Sequence, residues 1–284
     1  MWVSLSKYLA QHLLASPLCI WGKLPQHGDF LKHRCNAAQA HDWQDWAART
    51  WSLRPTAAPE RRFQSQRAGQ STWVKLEPRP ALAELIGVPV AFVMQPGAMP
   101  FAAKRYVQGV ILDSQDQQGR ACPLIIYQQV SPGWMRRSWC FDGVSQASAY
   151  VSPMQQRATQ NHHLLYWLAR LAARIHGADR QWAEVTQLVD AIWDLHRPTW
   201  RHLRGAVVNK VDQTQLDALL HRHCFYDGLD VAKGLCGVQH LPWANWPDRL
   251  FDPGPVSQTF WQQDVHGGYV NAGESLLALW GASA

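Results

Sequence analysis

The sequence predicts an α+β fold in which a mostly antiparallel sheet is flanked by helices and the C-terminal portion is helical. Three observations predict it. Two β-rich runs, 105–112 and 121–130, flank a polar turn ending at Gly119, the pattern of a hairpin whose loop is longer than two residues. Apolar residues recur at helical spacing beyond residue 155: Leu164, Leu168, Leu171 and Ile175, then Val185, Val189 and Ile192. Near the start, Leu18, Cys19 and Ile20 read as the end of a short buried strand, which enters a loop broken by Gly22, Pro25 and Gly28.

Taken in order, residues 4–15 place Leu5, Tyr8, Leu9, His12 and Leu13 on one face of an amphipathic helix. This face leaves open whether the helix packs on the body or on a partner. After the loop, Asn36 with Gln39 three residues on reads as a capped helix start, with Ala37, Ala40, Trp43, Trp46, Ala47 and Thr50 on one face and an end before Pro55. The polar stretch 55–70 reads as an exposed loop. Residues 81–86, between Pro80 and Gly87, read as a short helix, and 88–94 as a buried strand. Pro123 lacks a backbone donor and belongs at a strand's start or edge. Residues 139–141 read as one more short strand. Asp179 and Asp212 read as helix N-caps, 256–261 as the last strand, and 274–280 as a terminal helical turn. The organisation read from this is an N-terminal helical extension over 1–17 and one α/β domain over 18–284. Within that domain, 146–245 is a mainly helical insertion before the last strand.

Hydrophobic residues are 47% of the 284 and charged residues 17%, which describes a folded chain and excludes a disordered one. Lys and Arg number 27 against 21 Asp and Glu, an excess spread along the chain that favours acidic partners without specifying one. The 6 cysteines show no C-x-x-C spacing and read as reduced thiols, which suits a cytoplasmic location. The stretch 13–19 is superficially like a bacterial lipoprotein signal. Leu18, however, stands where a small residue is needed, and Gln11 and His12 interrupt the apolar run. No apolar run is long enough to span a bilayer, so no membrane insertion is expected.

The loop from Trp21 to Phe30 offers the candidate functional residues Lys23, Pro25, His27, Gly28, Asp29 and Phe30, read as loop architecture or as a partner-binding surface. Gly22 and Gly28 are expected where φ is positive or where a side chain would clash, and Pro25 is expected to fix the turn. Asp29 is expected to bond the loop's own amides or cap a helical turn starting at Phe30, Lys23 and His27 to be exposed, and Phe30 to pack inward.

The run WGKLPQHGDFL, followed by a helix bearing Trp43 and Trp46, resembles the TagF (ImpM) family of type VI secretion-associated proteins. Members open with Gly-Lys-Leu-Pro, then Gly-Asp-Phe, then a tryptophan-bearing helix. The resemblance covers 18–51 and extends to the hairpin from Val107 to Val130. There the segment DSQDQQGRACPL (113–124) looks like the family's Asp, polar stretch, Gly-Arg and Pro-containing strand. The resemblance implies a cytoplasmic, non-enzymatic accessory protein that restrains type VI secretion after its components are made, by binding a forkhead-associated scaffold protein of that system.

The residues also bear on other chemistries. Among 13 histidines, His221 and Cys224 at i, i+3 could share an ion, but no spacing supplies two further ligands, so no metal is expected. Asp264-Val265-His266-Gly267-Gly268 and Ala272-Gly273-Glu274-Ser275 have the flavour of a metal-dependent phosphatase, the enzyme alternative. They are nearly contiguous, whereas metal-bridging carboxylates need separate strands. No nucleophile elbow, phosphate loop or dinucleotide fingerprint is present, so no cofactor is expected. Arginines interleave with aromatics at Trp134–Arg137 and Trp200–Arg204, the basis of a nucleic-acid-binding alternative, yet neither run sits in a recognisable module. The 16 tryptophans favour a protein-binding chain.

Overall fold

The computed structural model describes residues 2–51, 62–67, 70–75, 89–139, 164–177, 181–204, 258–263, 269–273 and 275–276. Strands β1 (Cys19–Gly22), β2 (Leu31–His33), β5 (Val90–Met94), β6 (Tyr106–Leu112), β7 (Leu124–Val130), β8 (Gln258–Gln263) and β9 (Tyr269–Gly273) form one antiparallel sheet in the order β2-β1-β7-β6-β5-β8-β9. A separate hairpin pairs β3 (Arg62–Arg67) with β4 (Gln70–Lys75). The fold is therefore α+β, with an open antiparallel sheet and helices.

Both faces of the sheet are covered, which explains strands such as VAFVM and YVQGVIL that are apolar without alternation. On one face, Ile20, Ala91, Val93, Val110, Leu112, Ile126 and Trp261 pack under helices α4 (Leu164–Gly177) and α5 (Trp182–His196). On the other, Trp21, Phe92, Met94, Ile111, Tyr127 and Phe260 meet helix α2 (Ala37–Thr50). Trp43 centres that second layer, with ring centroids 5.1 Å from Tyr127, 5.4 Å from Trp46 and 6.0 Å from Phe92. The expected capping box is present: Asn36 Oδ1 accepts from the Gln39 amide at 2.9 Å, and Gln39 Oε1 accepts from the Asn36 amide at 3.2 Å.

Helix α1 (Trp2–Leu13) leads into the first core face through Leu14 and Ala15, and Ala15 bridges to Val130. A buried polar pair continues this join. Gln108 and Gln128 face each other in register, Gln108 Nε2 donates to Gln128 Oε1 at 3.1 Å, and Gln128 Nε2 donates to the Ser16 carbonyl at 2.7 Å. At the end of the edge strand β2, His33 and the following Arg34 both meet Asp190 of α5, at 2.9 and 2.8 Å.

The hairpin of β6 and β7, the buried strand β5 and the position of Pro123 just before β7 agree with expectation. Several expectations need correction. Residues 62–67, read as loop, form β3. Residues 132–139 form helix α3 (Pro132–Trp139), so Trp139 ends a helix and begins no strand; Pro132 starts it in the manner proline favours. The N-cap of α5 is Gln181, with no side-chain cap bond. β8 is followed by β9 and is not the last strand. The short helix at 81–86, the Asp212 cap and most of 274–280 lie outside the described residues, as do His221, Cys224 and the run 264–268. No described helix is long and apolar enough to cross a membrane.

Candidate functional site

The site is made of two β-turns that dock on one another at the end of the sheet. The first spans Leu24 to His27, closed by the His27 amide donating to the Leu24 carbonyl at 3.0 Å, with Pro25 at the position where its fixed φ suits a turn. The second follows β6 and spans Asp116 to Gly119, closed by the Gly119 amide on the Asp116 carbonyl at 2.9 Å. Asp and Gly occupy the first and fourth places that such turns favour.

The Gly22 backbone sets how closely the two turns approach. Its φ is +141°, and a Cβ there would lie 2.2 Å from the Pro123 carbonyl oxygen, so a side chain would push β1 off the entry to β7. Beyond Gly22 the chains are tied by Ser114 Oγ donating to the Lys23 carbonyl (2.7 Å), the Gln117 amide donating to the His27 carbonyl (3.1 Å) and Arg120 Nη2 donating to the Gly28 carbonyl (3.4 Å).

At the centre, Lys23 Nζ donates to Asp116 Oδ2 at 2.7 Å, and both residues are buried. Asp116 also accepts from Arg120 Nε at 2.6 Å and from the Gln118 and Arg120 amides at 2.9 Å each. With both oxygens fully bonded, the carboxylate is satisfied in a place where an unpaired one would be costly. The Lys23 ammonium, helped by the two Arg120 bonds and the Gln118 amide, holds the Asp116 carboxyl well below the usual carboxylate range, outweighing burial, which acts the other way. The Phe30 ring lies 4.7 Å from Lys23 Nζ and stacks on Trp21 at 5.1 Å.

Several expected roles in this loop are therefore corrected. Lys23 is buried, not exposed, because a carboxylate waits for it 93 positions along the chain. Phe30 is 37% exposed: it covers Lys23 and Trp21 from outside and does not enter the core. Asp29 is exposed, makes no side-chain hydrogen bond among the described residues, and caps nothing, since Phe30 leads straight into β2. Gly28 has no positive φ, and a Cβ there would meet nothing within 4 Å. Pro25 is exposed and His27 half-buried, its backbone holding both turns. Asp116 and Arg120 received no role from sequence reasoning, although both lie in the DSQDQQGRACPL segment that carries the second part of the family resemblance.

Two stretches that resemble one family thus fold into a single rigid surface. Its floor is the Lys23–Asp116 pair, and its exposed shell is Pro25, Gln26, Asp29, Phe30, Gln117 and Gln118. Lys23 and Asp116 are bound to one another, so what the surface offers outward is an aromatic ring, backbone polarity and the exposed charges of Asp29 and Arg120. No group of three His, Cys, Asp or Glu able to hold a metal ion occurs among the described residues.

No family model matches the chain, and no curated protein matches it either. Among solved structures it is similar to PA0076 from Pseudomonas aeruginosa PAO1, with a TM-score of 0.37 and 14% identity, over 87% of this chain and 83% of that one. So distant a likeness carries no argument about fold or activity.

Proposed function

We propose that this chain is a non-enzymatic, cytoplasmic accessory protein that restrains type VI secretion by binding a component of the system, the forkhead-associated scaffold protein being the expected partner. One observation carries the reading. The two segments that resemble the TagF family, distant in sequence, are joined by the Lys23–Asp116 ion pair at 2.7 Å into one exposed surface. A surface held this rigidly loses little freedom on binding, which is what a partner contact needs.

The test is overproduction in a host with an active type VI system. Secretion of the tube protein falls while its cellular amount stays constant, and the scaffold protein is recovered with the tagged chain. Asp29→Lys changes an exposed position of the shell that makes no side-chain hydrogen bond among the described residues, so it weakens that recovery while the melting temperature holds; Phe30→Ala weakens it too but also lowers the melting temperature, because the ring covers Trp21 and Lys23. Unchanged secretion under strong overproduction, with no scaffold protein recovered, refutes the reading.

A further inference from the structure

The last turns of helix α1 carry apolar side chains turned away from the body. Ala10 and Leu14 are buried against the core, while Tyr8, Leu9 and Leu13 are 64%, 40% and 54% exposed. Beside it lies the short helix α6 (Trp200–Leu203), whose Trp200 and Leu203 are 46% and 40% exposed. The two helices belong to one connected surface. Arg105 Nη1 donates to the His12 carbonyl at 2.8 Å, and the Ser131 amide donates to the Leu14 carbonyl at 2.8 Å just before α3. From α3, Arg137 donates to the His202 carbonyl, and Trp134 meets the His202 ring edge-on. The two arginine-tryptophan runs noted in the sequence are thereby neighbours.

The described segments that build this surface carry one sign of charge. Segments 8–18, 96–112, 131–139 and 198–204 contain no Asp or Glu, yet they carry Lys104, Arg105, Arg136, Arg137, Arg201 and Arg204. Six described cations therefore fall in segments that carry no carboxylate of their own. Arg105 and Arg137 bond carbonyls, which leaves their charge intact, and Arg201 and Arg204 lie 5.9 and 4.9 Å from the Trp200 ring, holding it among cations.

We propose that this face of α1 and α6 is a peripheral docking surface for an anionic phospholipid bilayer. Tyr8, Leu9, Leu13, Trp200 and Leu203 would enter the headgroup and upper acyl region, where aromatic rings and leucines gain most, and the arginines would meet lipid phosphates. Charge complementarity selects an acidic occupant, and the apolar residues select among acidic occupants. Three of the five exposed residues are leucines, which a nucleic acid does not reward. They stand on convex helix surfaces, which a soft bilayer accepts directly, whereas a folded protein must supply a matching groove. The surface is composed of different residues from the turn pair above, so it stands or falls independently of the secretion reading.

The test is flotation of the full chain with phosphatidylcholine vesicles, with and without a third of phosphatidylglycerol, at low and high salt. Binding to the anionic vesicles is expected to exceed binding to neutral ones by about tenfold or more and to weaken with salt. Arg201→Glu with Arg204→Glu should lower it by at least about tenfold. Leu9→Ser with Leu13→Ser should lower it comparably while circular dichroism and melting temperature stay near wild type, since both leucines are exposed. Equal binding to neutral and anionic vesicles, or full binding by both double variants, overturns the proposal. So does absence of vesicle binding, whether accompanied by binding of a random single-stranded oligonucleotide or by self-association that the leucine variant removes.

Discussion

Lys23 Nζ and Asp116 Oδ2 meet at 2.7 Å inside the protein, so the opening loop and the turn after β6 are held by one charge pair. The pair is asymmetric. Asp116 has three further donors from Arg120 and Gln118, while the Lys23 ammonium has this carboxylate and the Phe30 ring face.

Removing the carboxylate should therefore hurt more than removing the ammonium. Asp116→Ala leaves a buried cation without its anion and frees two turn amides, whereas Lys23→Met keeps the stem's packing and leaves Asp116 bonded. Thermal unfolding of the two variants should place Asp116→Ala clearly below Lys23→Met, with wild type highest. The reverse order would mean that the pair does not organise the turns.

The same pair should shape stability at acid pH. The folded carboxyl of Asp116 is held below its ordinary 3.8 by Lys23 first, so its contribution is fully present above that value. It drains as pH falls through the lower folded-state value. Between about pH 5 and about pH 2, wild type should lose stability more steeply than Asp116→Asn, the two curves converging at the acid end. Denaturant midpoints at matched ionic strength measure this, and parallel curves would show that Asp116 titrates normally.

Two glycines of the loop should respond differently to the same change. Gly22→Ala meets the Pro123 carbonyl at 2.2 Å with φ at +141°, and should cost roughly 2 kcal/mol or more. Gly28→Ala meets nothing within 4 Å at an ordinary φ and should stay within about 0.5 kcal/mol of wild type. Urea unfolding separates the two outcomes.

Features encoded in neighbouring residues were legible. The Asn36 and Gln39 capping box, the β6–β7 hairpin and the helical spacing of α4 and α5 each need a few positions of sequence to be seen. Strand β2 was hidden because Leu31-Lys32-His33 is too short to show a period. Strand RFQSQR is polar enough to read as loop, and QSTWVK drew no reading at all, its apolar Trp73 and Val74 being too few to show a period. The loop around Lys23 was recognised as shaped, but its lysine was misplaced for a physical reason. A lysine between turn residues is ordinarily at the surface, and only the folded chain brings Asp116 to it. The Gly22 contact is equally invisible in one dimension, since the obstacle is the backbone of Pro123.

The strand order has a consequence for how the chain reaches this state. Phe92 pairs with Phe260, although more than half the chain separates them, whereas β5, β6 and β7 follow one another as direct antiparallel neighbours. The β5–β6–β7 meander closes small loops and is the natural nucleus, with β8 and β9 completing the sheet late across a long closure. Because closure entropy grows only with the logarithm of loop length, the span between β7 and β8 is where this architecture can lengthen or shorten at small cost. The newborn protein meanwhile keeps β5 as an open edge until that distant strand arrives, and for that interval it is most exposed to pairing with the wrong chain.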